Sequence, residues 1–209
     1  GAVAYQFNCK VVFKDCDIVQ NNATVGGGIY GYASESTIAD CNLFDNRAYL
    51  GAGAYLDDMT ADISGNLVHA NQAGLTDVVG PDEGPEQTGQ GAGIYAHVLD
   101  LKVRDTRFVE NLADISGGGL MLSGTVDKRS DVFNCLFAHN RASRDGAGAS
   151  VNWYGGEPSE ENWSPNAVFT NCTFADNLSI GNDTYGYIGT GGGLHVGYDS
   201  VVKVLDSIF

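Results

Sequence analysis

The chain has 209 residues, of which 43% are hydrophobic, so it is long and apolar enough for one domain with a sizeable core. Eleven Lys plus Arg against 26 Asp plus Glu leave a net charge of -15, which disfavours a nucleic-acid partner. No apolar run approaches the roughly 20 residues of a membrane-spanning helix, and glycine is over-represented at 29 residues.

Those glycines recur in phase. Clusters open at Gly1, Gly26, Gly51, Gly91, Gly117, Gly146 and Gly191, and the first three are spaced by 25 residues. Three places after each origin stand Ala4, Ile29, Ala54, Ile94, Leu120, Ala149 and Leu194, all apolar. Five places on the residues are again mostly apolar, and one place on is always Ala or Gly. This period of two marks a strand with one buried face, so each cluster opens a strand. A phosphate-binding glycine loop would instead occur once, before a helix. Within a cluster, glycine is required either to avoid a clash or to permit a special backbone angle.

A second register follows in each repeat, as in "FKDCDIVQNNA", "IADCNLFDNRA" and "VFNCLFAHNRA". Asp15, Asp40, Gly65, Asp105, Asn134 and Asn171 are types that tolerate left-handed backbone and predict one corner. Asn21, Asn46, Asn71, Asn111, Asn140 and Asn177 predict a second corner, where stacked amides would form a ladder. No helix-period segment appears. One coil cannot bury its own face, so the repeats must stack. The expectation is an all-β parallel β-helix, a solenoid of about seven coils with a base period of 25 residues. Residues 1–209 form a single segment, with loop insertions at 76–90, 155–166 and 180–190 and no evident end caps. The chain opens on a glycine cluster and stops in mid-coil at "VLDSIF", so we expect part of a longer repetitive chain, or a subunit that stacks head to tail.

The paired motifs F-x-x-N (Phe108 to Asn111, Phe137 to Asn140, Phe174 to Asn177) and G-G-x-[ILV] ("GGGI" at Gly26, "GGGL" at Gly117 and Gly191, with "GAGI" at Gly91 close) resemble the repeats of chlamydial polymorphic outer-membrane proteins and related bacterial surface proteins. The resemblance implies a right-handed β-helix on a cell surface or outside the cell, often adhesive. Its partners would be neighbouring β-helix segments, copies of itself, glycans or host-surface ligands. These residues depart from the family pattern in showing no C-terminal barrel or its strand pattern, so autotransport is not part of the expectation.

Candidate binding residues follow from the strand alternation. Tyr5, Tyr30, Tyr55 and Tyr95 lie four places after their origins and should face outward. Such a stripe either grips a sugar or a neighbouring filament, or simply stiffens the sheet. Trp153, Tyr154 and Trp163 sit in the second insertion, and long loops on a rigid scaffold often carry binding. Cys16, Cys41, Cys135 and Cys172 share one coil position and read as free thiols in a small-residue column, with Cys9 off the register. Sequons occur at Asn22, Asn162, Asn171, Asn177 and Asn182; Asn162 and Asn182, in insertions, are the better glycosylation candidates. No catalytic or metal set is assigned and no cofactor is expected, beyond calcium in the acidic loops. The rival reading is a polysaccharide-active β-helix enzyme, for which Asp57, Asp58 and Asp62 form the best carboxylate cluster and Arg104–Asp105 the best basic pair.

Overall fold

Strands pair in parallel with their equivalents one coil away throughout the structure, a computed structural model that describes residues 2–74, 89–97, 100–124, 129–152, 165–181, 188–197 and 200–209. The second coil sets the pattern with strands Ile29–Tyr32, Glu35–Ala39, Asn42–Phe44 and Arg47–Ala48. Repetition stacks these into four parallel sheets of 7, 7, 6 and 5 strands, and no helix occurs among the described residues. This is the expected parallel β-helix of seven coils.

Backbone angles account for the corners. Asp15, Asp40, Gly65, Asp105, Asn134 and Asn171 all have φ between 51° and 67°, as their types predicted. At the other corner the left-handed residue is the one before each asparagine: Gln20, Asp45, Ala70, Glu110, His139 and Asp176, with φ of 53–56°. The asparagines therefore do not make that turn. They tie it to its neighbours. Asn46, for example, donates from Nδ2 to Asn71 Oδ1 (3.0 Å) and to Ile18 O (2.8 Å), while its backbone N–H donates to the same Asn71 Oδ1. One side chain thus links three coils. The same amide contact joins Asn21 to Asn46, Asn71 to Asn111, Asn111 to Asn140 and Asn140 to Asn177.

Both reasons for glycine operate, at different places in the cluster. Gly26 has φ +62°, where a Cβ is strained. Gly28 has no such angle, but a Cβ there would lie 2.5 Å from the carbonyl oxygen of Gly53 in the next coil.

The first coil corrects the assumed phase. Val3 pairs with Ile29 and Tyr5 with Gly31, whereas Lys10 pairs with Glu35. One extra residue is absorbed at Phe7 and Asn8, both at φ 58°. Tyr5 accordingly points into the core, 7% exposed, and is not part of the outward stripe. Gly31 makes the room, since a Cβ there would come within 2.5 Å of the Tyr5 hydroxyl.

Along the core, Phe108, Phe137, Phe174 and Phe209 stack with centroids 4.9, 4.7 and 4.7 Å apart. A second, narrow core of alanines, including Ala48, Ala73, Ala113 and Ala142, lines the side of the shortest sheet. Residues at the edges of the assumed insertions still belong to the coils. Gln90 bridges Leu50 and Ser116, Asn166 pairs with Val201, Ile180 N donates to Ala142 O, and Thr190 bridges Asp145. Trp153, Tyr154, Trp163, Asn162 and Asn182 lie outside the described residues.

Candidate functional site

Three arrangements of side chains outside the core could carry chemistry. The first is the outward face of the first sheet, where parallel pairing places Tyr30, Tyr55 and Tyr95 one above another. Their rings stack, with centroids 5.7 and 5.1 Å apart and planes within 2° and 12° of parallel. All three are half-buried, and the column continues through Met121 and Ser150, both fully buried, to His195. Stacking has a cost for recognition. Each ring covers its neighbour's face, and a sugar docks on a face and not on an edge. Only the side of Tyr30 toward exposed Ala4 is open. The three rings have the geometry of an aromatic ladder. Burial, followed by the neighbouring Asp57 carboxylate, pushes the Tyr55 phenol well above its usual range.

The acidic cluster of the enzyme reading does not converge. Asp57 pairs through Oδ1 with His97 Nδ1 at 2.7 Å, and Asp58 occupies a left-handed turn with φ 49°. Asp62 faces out from the second sheet, tied to Arg104 at 3.0 Å. Asp105 sits at its corner and accepts from Asn134 Nδ2 at 2.6 Å. The expected basic pair is thus split, because Arg104 and Asp105 each serve a neighbouring coil.

The second arrangement escaped the sequence reading. Ser150 Oγ lies 3.4 Å from His195 Nδ1, and His195 Nε2 lies 4.0 Å from Asp145 Oδ1. Arg144 Nε holds Asp145 Oδ2 at 3.0 Å, and Thr190 Oγ1 donates to Oδ1. Burial lowers the His195 pKa, opposed by Asp145 and assisted by Arg144. Hydroxyl, imidazole and carboxylate have the composition of a hydrolytic relay, but both contacts are longer than such a relay needs and Ser150 is fully buried. The group locks coils together. Ser150 and His195 share a column visible in the sequence, whereas Asp145 and Thr190 join them from a bridge position that no periodic signal marks.

The thiol column follows a simple rule. Cys16, Cys41, Cys135 and Cys172 are free, each with Sγ 3.1–3.4 Å from the carbonyl two residues earlier. Thr106 and Ser207 donate to the same carbonyl position at 2.9 and 2.8 Å, so the slot takes any small donor. The neighbouring Cys172 thiol, followed by burial, pushes the Cys135 thiol well above its usual range, and the same neighbour relation draws the Cys172 thiol down. Cys9, off this column, donates to Gln6 O.

The third arrangement is a pair of polar hollows at the corners of the first three coils. One, of about 600 Å³, includes Asp58 and the Lys10–Glu35 ion pair. The other, of about 470 Å³, is lined by Gln20, Asn21, Asn22, Asp45, Arg47, Ala70 and Gln72. Among the described residues, no group of three His, Cys, Asp or Glu side chains is placed to hold a metal ion. Compared with known protein families, curated proteins and solved structures, the chain matches none.

Proposed function

We propose that this chain is a structural and adhesive β-helix module of a cell surface or the extracellular space. The observation that carries the reading is how the repeated polar side chains are used. The asparagines, the corner residue Asp105 and the His195 group bond from coil to coil, which makes a rigid rod and leaves no convergent acid and base in the open among the described residues. A rod of this kind suits display of loops and corner side chains to glycans or to neighbouring surface proteins. The test has two parts. Antibodies to the chain should label intact, unpermeabilised source cells, and the purified chain should bind the surfaces of partner cells. Turnover on a panel of polysaccharides, abolished by Asp57→Ala, would overturn it in favour of an enzyme.

End-to-end association into filaments is a second reading. Val201, Val204, Leu205, Ile208 and Phe209, in the last described coil, are 40–67% exposed and carry apolar surface that another coil could cover. Sedimentation of the purified chain as a concentration-dependent ladder of end-to-end oligomers would favour it.

A further inference from the structure

We infer that the corner hollow of the first three coils is a saccharide site, taking one or two units of a neutral glycan. This rests on the adhesive reading and gives it a location. Two lines of side chains flank the hollow. Asn22, Arg47 and Gln72 are aligned in successive coils by parallel pairing. Gln20, Asp45 and Ala70 occupy the left-handed corner position of the same coils. Asn21 also lines the hollow.

The depth comes from one residue. In the other coils the corner position carries Gln20, Asp45, Glu110, His139 or Asp176, and only Ala70 lacks a polar arm. Ala70 therefore opens a notch between the two lines.

The chemistry selects the ligand. Amides offer donors and acceptors together, which suits vicinal hydroxyls, and Asp45 adds an acceptor for paired O–H groups. Arg47 supplies planar donors and is in no ion pair among the described residues. One carboxylate and one guanidinium cancel locally, while the chain as a whole carries -15 and repels anions. A hollow with this lining offers little to a lipid, and its surroundings disfavour an acidic sugar. Rungs are about 4.8 Å apart, close to the length of a hexose unit, so adjacent units could meet adjacent coils.

The experiment uses the full chain, produced in a host that adds no N-glycans, on an array of neutral and acidic oligosaccharides. Hits are then measured by titration. We expect neutral glycans to bind and Gln72→Ala to weaken them at least tenfold. Ala70→Gln should abolish binding by filling the notch while leaving the thermal midpoint in place, since Gln20 already occupies the equivalent corner. Binding that survives Ala70→Gln, binding confined to acidic sugars, or no saccharide binding at all would each overturn the site. If cells are still bound in any of those cases, the adhesive reading stands without it. If cells are not bound either, both fail.

Discussion

An asparagine at the ladder corner does more than any other residue type in this chain. Asn111 accepts at Oδ1 from the backbone N–H and Nδ2 of Asn71, and donates from Nδ2 to Val68 O and to Asn140 Oδ1. It is fully buried, so an apolar replacement leaves donors and acceptors without water or partner. Asn111→Leu should therefore cost roughly 3 kcal/mol or more, measured by urea unfolding. A cost below about 1 kcal/mol would mean that the ladder is incidental. His195 gives a second test, in pH. Burial holds its folded pKa below the usual 6.5, so on acidification the unfolded chain takes up the proton first. The stability contributed by the neutral ring is complete above pH 6.5 and is lost as pH falls through the folded value. His195→Gln should flatten that part of the loss of thermal midpoint between about pH 7 and pH 5. An unchanged slope would show that the ring titrates alike in both states. Residue type alone made some of this readable. Asp15, Asp40, Gly65 and Asn134 announce a left-handed corner because short polar side chains and glycine tolerate it. Gln20, Glu110 and His139 announce nothing, and there the stacked asparagine next door holds the angle.

Strands in this protein are short, two to five residues, and owe their register to what precedes them. The seven-stranded first sheet shows how an element can deceive. A spacing of 25 residues aligns Gly26 with Gly51, and carrying it back to Gly1 puts Tyr5 outside. Phe7 and Asn8 absorb one extra residue between two strands, and in a strand a one-residue slip moves a side chain to the other face. The pattern Ala4–Tyr5–Gln6 is compatible with either face, so the sequence held no local signal of the slip. The sign of the error lay a coil away, at Gly31, among the described residues the one glycine on an inward strand position. Tyr5 and Gly31 should accordingly be coupled. Gly31→Ala alone should destabilise by about 1–3 kcal/mol, because its Cβ would crowd both the Tyr5 hydroxyl and Met59 Sδ. In a Tyr5→Ala background the same change should cost much less, Met59 being able to move. A double-mutant cycle measures the difference. Additive costs would mean that Tyr5 and Gly31 do not pack against each other.

Among the described residues the molecule is close to one-dimensional, because each strand pairs with its equivalents in the coils on either side. Stability in such a stack is a sum of coil terms and interface terms, and a defect in the middle weakens both flanks. Phe137 and Phe209 compare the two situations within a single column. Phe137 is fully buried between Phe108 and Phe174, whereas Phe209 stacks on Phe174 alone and is 67% exposed. Phe137→Ala should cost about 3–5 kcal/mol. In hydrogen exchange its effect should reach beyond its own coil, lowering protection in Phe108's coil and in Phe174's coil together. Phe209→Ala should cost about 1 kcal/mol or less, and the loss of protection should stay within the last two coils. The same rigidity bears on function. A hollow made by three consecutive coils keeps its shape only if the ladder beneath it holds, and Asn21, Asn46 and Asn71 run directly under the line of Asn22, Arg47 and Gln72. Should Phe137→Ala loosen only its own coil, the interface terms would be too weak to hold distant coils as one body. The corner hollow would then have to be stabilised by its ligand, with slow binding and a large ordering cost in titration.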